Sequence, residues 1–381
     1  MSRWPAILAA ILVFGSMCYS QGPAQRRAAQ DPGQRLTTKD CPEVHPDRSV
    51  TFRIYAPNAK EVTFYGDWMP RGSSEEMTKD GDGIWSVKLG PLPPSVYLYS
   101  FTVDGVTNID PVNPDVKMRT RTTASLVTVP GEKPMIWEAR DVPHGAVSVH
   151  WQTSSVIGDT REVYVYTPPG YAGDASKKYP VLFLFHGSGD TSRAWTWPGY
   201  TNLILDNLLA EGKVVPMIVV MPWGHTQPAW TPREQRGRNN ETYEAYLLKE
   251  VIPMVESEYR VAEGRDNWAI SGLSMGGGQS LGIGFGNLER FSAIGAFSAA
   301  VPRDFEEKFA GLLADSQGLN EKLKLLWIAC GEDDFILERS ERLEKLLKEH
   351  DIEHTYRKTE GAHTWTVWRH HLAEFAPLLF R

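Results

Sequence analysis

Between residues 50 and 129 apolar and polar positions alternate. Val50, Phe52 and Ile54 point one way with Thr51 and Arg53 between them, and Val62 and Phe64 repeat the pattern. Trp85, Val87 and Leu89 do so again, followed by Tyr97, Tyr99, Phe101 and Val103. A period of two marks strands with one face buried. The runs are split by the turn formers Asp80-Gly81-Asp82-Gly83 and Asp104-Gly105. Short alternating strands separated by such turns predict an antiparallel, immunoglobulin-like all-β sandwich over residues 45–130.

The grammar then changes. Residues 131–144 read as a linker, and residues 147–166 supply two more alternating strands. Beyond them residues 181–185, 217–221 and 325–329 are continuously apolar, as in strands buried on both faces. Between these runs Leu247, Val251, Met254 and Val255 recur at helical spacing, as do Leu343, Leu346 and Leu347. Alternation of buried strands with amphipathic helices predicts an α/β domain over residues 145–381, with a mostly parallel central sheet and helices on both faces. No internal repeat is visible.

Composition adds limits. With 41% hydrophobic and 23% charged residues the chain of 381 is an ordinary globular one. Its net charge of -7 argues against nucleic-acid and anionic-membrane partners, which call for a basic surface. Arg3, the apolar run 6–14 and the small or polar residues after it form a secretory signal peptide over residues 1–20, with cleavage near Ser20. Residues 21–44 follow as a flexible polar leader, so the mature protein is expected to be secreted or periplasmic. Cys41 and Cys330 then remain and are expected to be free thiols. There is no cysteine and histidine cluster of metal-binding type, and no cofactor is expected.

The chemistry is carried by Trp268-Ala269-Ile270-Ser271-Gly272-Leu273-Ser274-Met275-Gly276-Gly277. A strand running into Gly-x-Ser-x-Gly, with a helix after it, is the nucleophile elbow of α/β-hydrolases. A serine needs a base, and the base an orienting carboxylate, in the order Ser, acid, His. Of the later histidines, His350 and His354 flank a helix end, and His370 and His371 belong to the terminal helix. His363, in the loop Gly361-Ala362-His363-Thr364-Trp365, is the expected base. The acid should lie in Cys330-Gly331-Glu332-Asp333-Asp334; Asp334 is preferred, with Asp333 as the alternative. The oxyanion hole needs two backbone N–H groups. Met275 should supply one, and Ser188, in the loop after residues 181–185, the other. His186 is expected to hold that loop rather than to react. The chain has 13 Trp, and Trp195, Trp197, Trp223, Trp230 and Trp365 fall in loops that should follow strands, making them candidates for contact with an aryl or sugar substrate.

Together these residues resemble the esterase D-like α/β-hydrolases, and more specifically carbohydrate esterase family 1, which includes feruloyl and acetylxylan esterases. The likeness lies in Arg161-Glu162-Val163-Tyr164-Val165-Tyr166-Thr167-Pro168-Pro169-Gly170-Tyr171, the His186-Gly187 loop, residues 272–277 and residues 361–369. The family's Gly-x-x-Asp motif maps onto Gly331 and Asp334. Residues 45–130 resemble carbohydrate-binding module family 48 through Phe52-Arg53-Ile54-Tyr55-Ala56-Pro57, Gly66-Asp67-Trp68 and Tyr97-Leu98-Tyr99-Ser100-Phe101. The resemblance implies an exported serine esterase that removes feruloyl or acetyl groups from xylan, with a polysaccharide or oligosaccharide ester as its partner. Trp68, after Gly66-Asp67 at a strand end, is the candidate for stacking on a sugar ring. Siderophore (enterochelin-type) ester hydrolysis and acyl transfer to sugar are alternatives on the same fold. A glycan-binding protein with an inactive hydrolase domain is the alternative of another class, and the complete Ser-Asp-His set argues against it.

Overall fold

The computed structural model describes residues 41–120, 123–227 and 239–381. The expected signal peptide, residues 21–40 of the leader and Trp230 lie outside the described residues. The sandwich begins earlier than the leader boundary implied. Glu43–Val44 already pairs antiparallel with Val50–Tyr55, and Cys41 is buried against the backbone of Arg53. Both Cys41 and Cys330 are free and buried.

Two antiparallel sheets face each other. One joins Glu43–Val44, Val50–Tyr55, Ile84–Leu89 and Thr78–Lys79 in that order. The other has Ser95–Val103 at its centre, between Val62–Gly66 and Ala124–Val129. The alternating residues meet between the sheets, with the rings of Phe52 and Phe64 4.3 Å apart and Tyr99 4.7 Å from Phe52. Trp68 corrects the expectation of a sugar platform. Its ring folds back over Gly66, where a Cβ would come within 2.3 Å of it, and lies 5.8 Å from Phe64 and 5.2 Å from Tyr97. Gly66 leaves the space that lets the indole join the sandwich core.

The second domain holds an eight-stranded sheet. Its strands are β1 (Ala146–Ser154), β2 (Asp159–Thr167), β3 (Val181–Phe185), β4 (Ile218–Pro222), β5 (Trp268–Leu273), β6 (Ala293–Phe297), β7 (Leu325–Gly331) and β8 (Thr355–Thr359). They lie in the order β1-β2-β4-β3-β5-β6-β7-β8. The β1–β2 hairpin joins β4 antiparallel, and every later pairing is parallel. Strands β3, β4, β5 and β6 are buried along their whole length, with Ser271 of β5 as the one hydroxyl among their side chains. The parallel strands all end on the edge that carries the site.

The sandwich does not hang from a free linker. The described residues form one compact unit. Val96, Leu98 and Leu126 of the sandwich share an apolar core with Leu182, Leu184, Trp327, Trp365 and Leu372 of the α/β domain. Trp137, in the expected linker, is 2% exposed and belongs to that same core. Arg369, from the terminal helix Trp365–Phe375, is fully buried at this seam. Its guanidinium donates to the carbonyl of Pro198 at 3.0 Å, to Ser95 Oγ at 3.1 Å and to the carbonyl of Val96 at 2.5 Å, and it lies over the Trp137 ring.

A chain cut to residues 145–381 would therefore strip Ser95, Val96 and Trp137 from Arg369 and uncover the apolar seam of Leu182, Leu184, Trp365 and Leu372. Each large apolar side chain laid bare costs about 1.5–3 kcal/mol, and the exposed patch favours association. The expected outcome is aggregation, or a thermal midpoint many degrees below the parent's. A cooperative melt at the parent's midpoint would show that the two domains are energetically separate.

Candidate active site

The site is built on the turn between β5 and the helix Met275–Gly286. Ser274 sits there with φ 53° and ψ -114°, a left-handed backbone that a non-glycine residue adopts at a cost of about 1–3 kcal/mol. Surrounding hydrogen bonds hold it. Its N–H donates to the carbonyl of Phe297 at 2.8 Å, and its carbonyl accepts from Ala300 at 2.8 Å and Gly278 at 3.1 Å. Gly276 permits the close approach of the elbow, since a Cβ there would lie 2.6 Å from the carbonyl oxygens of Phe185 and His186. The serine is thereby raised at the N-terminus of a twelve-residue helix. The Met275 amide is the first of that helix, where the backbone dipole favours negative charge.

Two other strand ends bring the remaining groups. His363 follows β8, and its Nε2 lies 2.9 Å from Ser274 Oγ. Asp334 follows β7, and its two oxygens lie 2.9 Å and 2.8 Å from His363 Nδ1. The two aspartates differ in burial, and it is Asp334 that meets the imidazole. The Asp334 side chain is fully buried and that of His363 is 17% exposed, whereas Asp333 points to solvent. Burial opposes ionisation of Asp334, but hydrogen bonding to His363, the imidazole's charge, the Ile336 N–H and the Ser298 hydroxyl together outweigh it. They hold its carboxyl below the usual range. The imidazole is also fixed by rings: Phe335 lies 4.5 Å away, and Trp368 4.9 Å away and perpendicular. A neutral imidazole that donates through Nδ1 to a carboxylate presents Nε2 as an acceptor, which is what a hydroxyl nucleophile requires.

The loop after β3 closes the third side. His186 Nδ1 donates to the carbonyl of Gly187 at 2.8 Å, and its Nε2 accepts from Gly224 N–H at 2.8 Å. It is wholly buried and splints the loop, as expected. Ser188 is exposed and lines the cleft in which Ser274 and His363 stand.

That cleft has a volume of about 380 Å³, and the sandwich forms one of its walls. Tyr65, Asp67, Lys117 and Arg119 line it opposite Ser274. Burial pushes the Asp67 carboxyl up to about 7, against the pull of the Leu98 N–H and the charges of Arg369 and Lys117. Sequence reasoning missed this wall, because no local pattern marks a sandwich residue as facing another domain. A larger depression of about 820 Å³ lies by Trp268, at the opposite end of β5 from Ser274, and is lined by Lys178, Glu256 and Arg290 among others. No serine, cysteine or histidine is among its described lining residues.

The tryptophans divide differently from expectation. Only Trp365, among the described candidates, lines the cleft, and it is itself 2% exposed. Trp195 is wholly buried, donates its indole N–H to the carbonyl of Phe185 at 2.9 Å, and packs 5.1 Å from Trp365. It stands behind Trp365 and does not line the cleft. Trp197 packs on Tyr200 at 5.1 Å, and Trp223 stands 6.4 Å from His186 with Arg161 beside it. Neither lines the cleft. Loops crossing an apolar sheet edge bury their large rings, so position after a strand is not exposure.

Comparison with known proteins agrees with this architecture. The model of the family described as "Putative esterase" matches residues 154–379, and that of carbohydrate-binding module 48, the isoamylase N-terminal domain, matches residues 41–114. An endo-1,4-β-xylanase/feruloyl esterase of Xylanibacter ruminicola is 28% identical over 360 residues, covering 92% of this chain and 46% of that protein. The chain thus spans about half the length of that relative. A solved ferulic acid esterase is 26% identical, with a TM-score of 0.53 over 61% of this chain and 97% of its own. An enterochelin esterase from Shigella flexneri is similar in fold, with a TM-score of 0.66 at 16% identity over 87% of this chain and 91% of its own.

Proposed function

Because the chain belongs to the esterase family whose model spans residues 154–379, we propose that this carboxylesterase removes feruloyl or acetyl groups from plant cell-wall polysaccharide, with Ser274 as its nucleophile. The observation that carries the mechanism is the continuous hydrogen-bonded line from Ser274 Oγ through His363 to buried Asp334. The feruloyl esterase activity named for the relative and for the solved structure supports the substrate class.

In this reading Ser274 Oγ attacks the ester carbonyl as its proton passes to His363 Nε2. The carbonyl π pair moves onto oxygen, which the Met275 and Ser188 amides stabilise. Collapse re-forms the carbonyl and breaks the bond to the alcohol, whose oxygen takes the proton from His363. Water then repeats the sequence on the acyl-enzyme and frees the acid and Ser274. Asp334 keeps the imidazole in the required tautomer and balances its transient charge. Residues 1–20 serve as the export signal, so the enzyme works outside the cytoplasm. The deciding assay compares a hydroxycinnamate ester, acetylated xylan and a catechol siderophore ester with the purified protein. Fastest turnover of the siderophore ester would replace the polysaccharide reading.

The alcohol must leave from beside His363, which protonates it. Phe335 is 59% exposed there, with the Arg71 guanidinium 4.6 Å from its ring centre. Stacking on an aromatic face contributes about 0.5–1.5 kcal/mol, or roughly two- to tenfold in affinity. Phe335→Ala should therefore lower kcat/KM on a feruloylated oligosaccharide several-fold more than on methyl ferulate. An equal change on both substrates would remove Phe335 from sugar binding.

A further inference from the structure

The sandwich touches the α/β domain at one point that matters for chemistry. Residues Val116–Lys117 pair with the strand Ala124–Val129, and the chain then runs to Thr120 across the loop of residues 187–190. Lys117 Nζ donates to the Asp190 carboxylate in an ion pair whose side chains are 3% and 5% exposed. Arg119 Nε lies 3.6 Å from the same carboxylate. Thr120 donates to the carbonyl of Gly189 through its N–H at 2.9 Å and through its hydroxyl at 3.2 Å.

The rest of the loop is held from the α/β side. Gly189 N–H donates to His225 Nε2 at 3.1 Å, and Asp190 N–H to the carbonyl of Gly187 at 3.2 Å. The backbone on either side of Ser188 is thus pinned from both domains. A short loop with two glycines, Gly187 and Gly189, has no conformational preference strong enough to hold one amide at a fixed place. Two domains gripping it supply the rigidity that an oxyanion hole needs.

We infer that Lys117, with Asp190, is a positioning residue for the oxyanion hole, so that the sandwich domain belongs to the acyl-transfer apparatus itself. This rests on the serine-esterase reading above. The ion pair is out of water, so its geometry is stiff. Loss of Asp190 leaves Lys117 buried without its partner, loss of Lys117 leaves the carboxylate only the longer contact to half-exposed Arg119, and either frees the loop. Lys117 Nζ also lies 5.6 Å from the centre of the Trp365 ring, which closes the cleft below it.

The test uses the full-length protein and 4-nitrophenyl acetate, a substrate too small to need a polysaccharide site. Misplacing one group by about an ångström costs on the order of a hundred-fold, so Lys117→Met should lower kcat by roughly that factor with KM within about twofold. Affinity for a trifluoromethyl ketone, whose serine adduct carries the oxyanion, should fall by a comparable factor. Lys117→Arg should restore most of kcat, and Asp190→Asn should behave like Lys117→Met. A folded Lys117→Met protein with parental kcat and parental ketone affinity overturns the inference. Should Lys117→Met fail to give a cooperative melt, parental kcat in Asp190→Asn overturns it equally. Activity remaining in Ser274→Ala would instead sink the serine reading. An inactive Ser274→Ala beside a fully active Lys117→Met sinks only the role of the strap.

Discussion

Ser274→Ala is expected to lower kcat by about a million-fold, the scale at which removing the nucleophile of a serine hydrolase costs nearly as much as removing the whole set. No neighbour can take its place. The imidazole of His363 is committed to Oγ on one side and to Asp334 on the other. The fold should survive, because the backbone hydrogen bonds that hold the elbow come from Phe297, Gly278 and Ala300 and do not involve the hydroxyl. KM for a small ester should therefore change little. Steady-state hydrolysis of methyl ferulate, with a thermal melt of the same sample, measures both. Labelling by a fluorophosphonate should be complete in the parent and absent in the variant. Retention of more than a few per cent of activity would end the assignment, and an unlabelled parent would favour a glycan-binding protein with an inactive hydrolase domain.

The second large effect is at the acid. Asp334→Asn should cost roughly ten-thousand-fold in kcat, while Asp333→Asn stays within a few-fold. An amide at 334 cannot balance the imidazolium formed during attack. If its NH2 faces His363, the imidazole is forced into the tautomer that presents N–H, not a lone pair, to Ser274. Both carboxylate oxygens lie within 2.9 Å of Nδ1, so either orientation of the amide brings its NH2 against that nitrogen, and an NH2 at the Oδ1 place would also face the Ile336 N–H. Stability carries a pH signature. The Asp334 carboxyl is held below its ordinary value in the folded chain. Its stabilising contribution is thus present above the ordinary carboxylate pKa and is lost as pH falls through the depressed one. Asp334→Asn should remove that acid-side dependence from thermal melts between neutral and acid pH, whereas Asp333→Asn should leave it. The reverse ranking in both kcat and melts would move the role to Asp333.

Much of this site is legible in one dimension. The strand into Gly272-Leu273-Ser274-Met275-Gly276 is a local device, because the glycines and the turn needed to expose the serine are adjacent in the chain. His363 stands out since the other late histidines fall in or beside helices. The spacing from Gly331 points to Asp334, and the structure adds the physical ground, a buried carboxylate against an exposed one. Trp68 and Trp195 show where such reading fails. Both sit in turn-rich sequence, yet both are drawn into cores by rings far away in the chain. Phe335, exposed beside His363, was passed over because an aromatic next to an acid carries no periodic signal.

The sequence by itself determined the two element grammars, the order of strands and helices along the chain, the elbow, and the candidates for its base and acid. Each follows from interactions within a turn or from a repeat of two or of three to four residues, which neighbouring side chains encode directly. Only the tertiary structure decided that the sandwich and the α/β domain share one core, and which rings face the cleft. It alone brought Lys117 to Asp190, 73 residues apart, across the loop beside Ser274. Such contacts join surfaces whose local patterns are complete without each other. They exist because burying Val96, Leu98, Trp137 and Trp365 together removes apolar area from water, and no local period records which surface will meet which.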